Sequence, residues 1–350
     1  MTQSPSTFAQ TDLLCPTCAG QRHYSPETVS LDCGSCGRSE PIIPPDDHNA
    51  GAEYALDDDV PQVELSQDEP EVHQCRTCGG EVIFTGAALS DHCPYCDGAV
   101  VLKPGDPSFA TMALIPFQVT EAKALEAARR WIAGRWAAPD DLAAAFEKGR
   151  MSGLYAPFWT FDSREAVQYW AKVTTGSGDR RRTRRISGNM NIFFNDLLVP
   201  ASAHVTPLIR DGILHYFNPN ALVPYAAPYL AGFAAERHHQ TVAEGLAANA
   251  DDKALLIRNR IRGHIRTSGR VSNIGYKTDT TGIHYRRILL PVWILHYRYG
   301  GRAKKVVVSG IDGRAFGERP FSFWKLAGYS ALLSAAALAV GVLYGLAGMP

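Results

Sequence analysis

The eight cysteines of this 350-residue chain fall into two copies of one pattern. Cys15, Cys18, Cys33 and Cys36 form the first copy, and Cys75, Cys78, Cys93 and Cys96 the second, each spaced C-x2-C-x14-C-x2-C. Four thiolates at that spacing close a tetrahedral Zn²⁺ site and leave no ligand position for water or substrate. The chemistry expected is therefore structural: two zinc ribbons, each holding one Zn²⁺. Gly34, Gly37, Gly79, Gly80 and Gly98 offer the backbone freedom that such knuckles need. Two other uses of paired cysteines compete. Disulfides require an oxidising compartment, and residues 1–10 are polar, with neither a basic nor an apolar signal region. Redox dithiols come as one pair at a helix start, whereas these four pairs sit in turns rich in Gly and Pro. His23, His73 and His92 lie near the sites but are surplus to two complete cysteine sets.

No catalytic constellation accompanies the metal sites. The chain lacks G-x-x-x-x-G-K-[ST], G-x-S-x-G and H-E-x-x-H, and His204, His238 and His239 have no sequence neighbours that would activate them. The expectation is a protein that is not an enzyme. Charge narrows the class further. The formal net charge is zero, but residues 1–110 carry four Lys/Arg against eighteen Asp/Glu, and the remainder carries 31 against 17. Phosphate neutralisation by Lys/Arg supplies most non-specific affinity for nucleic acid. Ribbons this acidic disfavour nucleic acid and read instead as protein-docking modules. Between Arg38 and Arg76 there is no cation, and Asp57, Asp58, Asp59, Asp68, Glu69 and Glu71 stand among prolines, which reads as an extended linker.

The elements that carry these sites follow from periodicity. A strand over 114–119 precedes Thr120, which caps a helix with Ala122, Leu125, Ala128, Trp131 and Ile132 at helical spacing. Pro139, Asp140 and Asp141 start a second helix that ends near Lys148. Strands are expected at 153–161, 166–173, 186–199, 283–290, 292–298 and 304–309, with Gly300-Gly301 as a hairpin turn. Helical character returns at 225–233 and 241–265. The fold class is α+β with mostly antiparallel strands. Two basic features stand out: Arg180, Arg181, Arg182, Arg184 and Arg185 in a hairpin loop, and Arg258, Arg262 and Arg266 at four-residue spacing on one helix. They are read as solvated surface, with lipid headgroups or the acidic linker as partners. In particular, Asp57, Asp58 and Asp59 are expected to dock on the Arg180 to Arg185 loop.

Residues 326–348 form an uncharged run of Ala, Leu, Val and Gly. About 20 helical residues cross a bilayer core of ~30 Å, so one span is expected. Trp324 and Lys325 stand where an interfacial aromatic and a snorkelling cation belong. Arg314, Arg319 and Lys325 precede the span and no charge follows it, which places the N-terminal bulk in the cytoplasm. The localisation expected is the cytoplasmic membrane, with a single-pass tail anchor. Anionic lipid is an expected partner of the basic half. Ala337, Gly341 and Gly345 give the span a small-residue face compatible with a homodimer.

The domain plan is then ribbon 1 over 1–40, an acidic Pro-rich linker over 41–72, ribbon 2 over 73–104, an α+β domain over 105–322 and a transmembrane helix over 323–350. Several motifs in this order carry a resemblance. They are Cys75-Arg-Thr-Cys78-Gly-Gly with Cys93-Pro-Tyr-Cys96, Ile115-Pro-Phe-Gln-Val119, Gly153-Leu-Tyr-Ala-Pro-Phe-Trp-Thr-Phe-Asp162, Asp196-Leu-Leu-Val-Pro-Ala-Ser202, Pro224-Tyr-Ala-Ala-Pro-Tyr-Leu-Ala-Gly232, Leu290-Pro-Val-Trp293 and Ser309-Gly-Ile-Asp-Gly313 with Gly317-Glu-Arg-Pro320. The chain resembles a bacterial family of membrane-associated TFIIB-type double zinc-ribbon proteins, often mislabelled primosomal helicase-like. The resemblance implies zinc on the eight cysteines, no helicase chemistry, and an adaptor role beside membrane-stress proteins of the phage-shock type. The chain departs from the family in its Arg-rich hairpin loop and its single span. The function expected is a non-enzymatic, tail-anchored adaptor that docks a protein partner. The alternative is a membrane-held nucleic-acid-binding regulator using the Arg-rich surfaces.

Overall fold

The structure is a computed structural model that describes residues 13–44, 52–56, 62–63, 72–84, 92–97, 100–103, 108–109, 111–210, 214, 217–238, 240–318 and 320–347. Ribbon 1 is a separate three-stranded antiparallel sheet of β1 (Arg22–Ser25), β2 (Ser30–Cys33) and β3 (Ser39–Pro41). Inside the acidic stretch lie two short strands, β4 (Tyr54–Ala55) and β5 (Gln62–Val63). Ribbon 2 comprises β6 (Val72–Cys75), β7 (Glu81–Phe84) and β8 (Val100–Lys103). After β9 (Ser108–Phe109), which pairs with β5, comes β10 (Ala113–Leu114). Two helices follow, α1 (Glu121–Ala133) and α2 (Leu142–Glu147). As expected, Thr120 caps α1, its side chain accepting from the backbone N–H of Lys123. The buried residues of α1 are Ala124, Ala127, Ala128 and Ile132, spaced by three and four as a helix face requires.

Two long strands carry the architecture. β11 (Arg150–Thr175) and β15 (Arg270–Tyr299) pair antiparallel over almost their whole lengths, and β12 (Arg182–Pro200) flanks β11. The remaining elements are α3 (Pro207–Ile209), β13 (Val223–Pro224), β14 (Ala234–Glu236), α4 (Val242–Ala248), α5 (Ala250–His264), β16 (Arg302–Ser309), β17 (Ala315–Gly317) and α6 (Phe323–Ala347). Among the described residues twelve of these strands join in one sheet, in which only the β10–β15 and β11–β14 pairs run parallel. The α+β, mostly antiparallel class is the one read from the sequence.

Each long strand changes character along its length, and the sequence explains how. From Leu154 to Phe161 nearly every residue is apolar and all are buried, because both sheet faces are covered. Tyr155 serves one face, with Phe117, Phe233 and α1; Leu154, Ala156 and Phe158 serve the other, with Ile209 and Leu214. Beyond a bulge at Asp162 the pattern alternates. Val167, Tyr169, Ala171 and Val173 are buried against Ile257 and Ile261 of α5 and Ile265 just past its end, while Arg164, Gln168, Trp170 and Lys172 face solvent. The sheet thus leaves the two-sided core as a three-stranded arm of β11, β12 and β15, covered on one side by α5. Where the sequence suggested two strands at 153–161 and 166–173, one strand crosses the bulge.

The break expected between 290 and 292 is likewise absent. Pro291 lies within β15 paired with Tyr155, and its carbonyl accepts from Gly310 N–H at 2.9 Å. Its backbone groups therefore point to the side where the β16 ladder begins at Val292 and Ser309, so no ladder donor is lost there. Helix 241–265 is divided at buried Asn249, which ends α4 and starts α5. The helical stretch over 225–233 is reduced to one short 3-10 turn, Ala227–Leu230, confined by Pro224, Pro228 and the left-handed Gly232.

Asp57, Asp58 and Asp59, expected to dock on the Arg180 to Arg185 loop, lie outside the described residues. Ala55, which precedes them, is paired with His284 at the base of the arm.

Candidate metal centres

Each cysteine pair is set by the same backbone device. The carbonyl of the first cysteine accepts from the N–H four residues on: Ala19 to Cys15 at 2.8 Å, Gly37 to Cys33 at 3.0 Å, Gly79 to Cys75 at 3.0 Å and Asp97 to Cys93 at 2.8 Å. In every knuckle the residue after the second cysteine adopts a left-handed conformation, with φ of 53° at Ala19, 72° at Gly37, 76° at Gly79 and 63° at Asp97. Of the glycines expected to give the knuckles backbone freedom, Gly37 and Gly79 take this left-handed position; Gly34 and Gly80 do not, and Gly98 lies outside the described residues. Gly80 has a different reason to be glycine, since a Cβ there would lie 3.3 Å from the His204 ring.

These turns bring the eight sulfurs into two tight groups. Sγ separations are 3.6 Å for Cys15–Cys36 and 3.5 Å for Cys18–Cys33. In ribbon 2 they are 3.5 Å for Cys75–Cys96 and 3.8 Å for Cys78–Cys93. A tetrahedron with Zn–S of ~2.3 Å has edges of about 3.8 Å, and a disulfide holds its sulfurs at ~2.05 Å. All eight thiols are free, and within each group the ligand atoms lie within 4.8 Å of one another. The residues fit two Zn²⁺ ions, held by Cys15, Cys18, Cys33 and Cys36 and by Cys75, Cys78, Cys93 and Cys96. Electrostatics splits each set of thiols. Although the Gly20 N–H lowers it, the neighbouring Cys36 and Cys33 sulfurs push the Cys18 thiol up to about 12. Burial raises that of Cys93, whereas Cys15 and Cys75 are lowered. The backbone N–H of Thr17 donates to Cys15 and holds its thiol down at about 6. Burial raises the Cys75 thiol, but donation from the Cys78 and Thr77 N–H groups outweighs it and leaves it at about 7.

The two centres differ in their surroundings. In ribbon 1, Cys18 and Cys36 are exposed, and Pro16, Thr17, Ser35, Arg38 and Glu40 face solvent around them. Ribbon 1 is attached through its hairpin: Tyr24 donates from its N–H to Ala231 O at 2.9 Å and from its hydroxyl to Phe117 O at 3.1 Å, its ring packing on Tyr229 and Phe233. Ribbon 2 is built into the main sheet. Its strand β7 pairs with β14, and Cys75, Val82, Cys93 and Tyr95 belong to one face of the core. His296 Nε2 meets Pro94 O at 2.8 Å, and Arg150 pairs with Asp97 at 2.7 Å.

Sequence reasoning missed the most buried of these ties. Tyr95, inside the second knuckle, donates its hydroxyl to Glu236, which also accepts from Ser202 Oγ at 2.7 Å. Burial pushes the Glu236 carboxyl up to about 7. Tyr95 and Glu236 are 141 positions apart, and only the outlying acid in the apolar run before Arg237 hints at the pair. A second group was equally hidden. Glu53, Asp162 and Asp196 gather at the arm's base around buried Arg286, whose Nη2 donates to Glu53 at 2.8 Å and also to Asp196. Asp162 accepts from the Asp196 N–H at 2.7 Å. Burial and the neighbouring Asp162 raise the Glu53 carboxyl. With Arg286 at its centre this group is an ion-pair lock joining β4 to the arm.

The histidines behave as ordinary side chains. His238 is buried with Nε2 3.2 Å from Phe158 O and Nδ1 3.3 Å from Thr111 Oγ1, and His204 packs its ring on Tyr95. His239 lies outside the described residues. At the other end, Phe323–Leu343 of α6 is long and apolar enough to cross a membrane, and none of it is buried against the rest of the protein.

The chain is similar to YdjG, an uncharacterized protein of Bacillus subtilis (strain 168), at 28% identity over 329 residues covering 90% of this chain and 92% of the relative. No family model matches the chain, so the TFIIB-type assignment has no support from that comparison. No solved structure matches it either.

Proposed function

We propose that the protein is a non-enzymatic adaptor held in the cytoplasmic membrane by α6, with its folded bulk on the cytoplasmic side, and that ribbon 1 is the surface that takes a protein partner. The observation that carries this reading is the contrast between the two metal centres. Ribbon 2 spends its knuckles on the core through Tyr95 and Pro94, whereas ribbon 1 turns both Cys18 and Cys36 to solvent. A closed four-sulfur site offers rigidity rather than reactivity, so an exposed one displays a fixed surface. The apolar α6, none of whose span is buried in the described protein, supplies the anchor. The resemblance adds a partner class, membrane-stress proteins of the phage-shock type, and the cationic half of the chain favours anionic headgroups nearby.

Crosslinking in intact cells, followed by purification in detergent, tests this reading. Substituting Ser35 and Arg38 by Glu should abolish specific crosslinks while leaving membrane retention and two zinc per chain unchanged. Identical crosslinks in the substituted protein would refute ribbon 1 as the docking surface.

One observation favours a second reading, nucleic-acid binding on the arm. Its open face sets Trp170 and Phe193 among Arg164, Lys172, Arg185 and Lys277. Aromatic rings between cations are a stacking platform for single strands. That reading requires a steep salt dependence of binding that collapses when Arg164, Lys172 and Arg185 are replaced together.

A further inference from the structure

The corner between α1 and α2 is where the anchor helix meets the domain. Ser322 N–H donates to Ala137 O at 2.9 Å. Lys325 Nζ donates to Ala138 O at 2.8 Å and to Asp140 Oδ1 at 2.5 Å. The Trp136 ring packs at a tilt against Tyr329, with centroids 4.4 Å apart and planes 30° apart. The corner is itself fixed to the sheet. Leu142 and Phe146 of α2 are buried, Phe146 packs on Tyr297, and Tyr299 donates its hydroxyl to Asp141 at 2.9 Å.

Depth follows from helix geometry. Tyr329 is six residues into α6, about 9 Å along the axis from Phe323, and three residues past the start of the uncharged run. A side chain packed on it shares that depth. Yet Trp136 is 58% exposed, as Trp324 is 83% exposed, and both stand free of the apolar core. An indole has an apolar body and one N–H donor, which suits it to the boundary between headgroups and acyl chains. Lys325, which would otherwise reach freely for headgroups, is turned back onto Asp140 and neutralises that acid where it approaches the bilayer.

We propose that the α1–α2 corner is a second membrane-contact element, with Trp136 seated in the bilayer interface beside α6. The inference rests on the reading of α6 as a span. Its consequence is that the domain does not swing on a tether: Ser322, Lys325 and Trp136 clamp it at one orientation, and ribbon 1 is displayed at a fixed position relative to the lipid surface.

The test uses the full chain reconstituted in phosphatidylcholine vesicles containing lipid brominated near the top of the acyl chain, which quenches tryptophan at that depth. In the Trp324→Phe protein, a bromolipid-quenched fraction of the emission should remain, and most of it should be lost on adding Trp136→Phe. Equal quenching in the single and double variants overturns the inference. Alkaline extraction of the same vesicles separates the two readings. A chain that is extracted refutes the span itself, whereas one that resists extraction but shows no quenching assigned to Trp136 refutes only the corner. A further variant, Lys325→Met with Tyr329→Ala, should broaden the depth distribution of Trp136 quenching; an unchanged depth profile would overturn the clamp.

Discussion

Matched cysteine substitutions distinguish a built-in ribbon from a displayed one. Cys36 and Cys96 occupy equivalent positions in the two patterns, so Cys36→Ser and Cys96→Ser remove the same ligand from each centre. In ribbon 2, loss of the metal releases the knuckle that holds Tyr95 in the core. Displacing a buried aromatic costs about 3–5 kcal/mol. Leaving Glu236 without the Tyr95 hydroxyl costs about 1–3 kcal/mol more. The sum, about 4–8 kcal/mol, is comparable to the whole stability of a domain, about 5–15 kcal/mol. For a domain of about 200 residues it lowers Tm by about 10–30 °C. In ribbon 1 the residues that reach the core, Leu13, Tyr24 and Leu31, all lie outside the two cysteine knuckles, so the penalty is smaller. The assay is thermal unfolding by circular dichroism in detergent, with zinc measured on the same samples. Each variant should retain one zinc per chain, and Cys96→Ser should melt well below Cys36→Ser. Ribbons acting as independent modules would instead lose one local unit each and leave the main transition unmoved. If Cys96→Ser has lost its metal and still melts within a few degrees of Cys36→Ser, the claim that ribbon 2 belongs to the core is refuted.

Three further outcomes follow. Because Glu236 is raised above its unfolded value to about 7, the folded state binds the extra proton, and stability should fall as pH rises from about 4.5 through 7; Glu236→Gln should flatten the Tm–pH curve of zinc-loaded protein between pH 5.5 and 8. Arg286→Met leaves Glu53, Asp162 and Asp196 gathered without their cation and should cost about 3–5 kcal/mol at neutral pH in denaturant titrations, with partial recovery on mild acidification as the Glu53 and Asp196 carboxyls, both raised by burial, protonate. A Cβ at position 275 would lie 2.4 Å from Trp170 Nε1, so Gly275→Ala should displace that indole and shift its fluorescence without altering zinc content.

What the sequence disclosed and what it concealed divide by the range of the interaction. The metal ligands were legible because each set lies within one short stretch and sulfur at that spacing has few other uses. Thr120 and Thr241 were legible as helix starts for the same reason, since a cap is satisfied three residues away. The long strands were cut by their own punctuation. Pro291 breaks a strand only if its missing N–H faces a ladder partner, and which side it faces depends on where β16 begins. Charge misled in a different way. Acidic residues around both ribbons suggested modules held off the domain, but composition does not reveal that Tyr24 and Tyr95 sit apart from that acidic surface with their rings in the core. The pairs that attach the pieces, Tyr95 with Glu236 and Glu53 with Arg286, are separated by 141 and 233 positions and leave no periodic trace. Trp136 is the same case at the surface. Alone it is an exposed tryptophan in a helix corner; only its packing on Tyr329 gives it a depth, and with that depth a reason to be tryptophan.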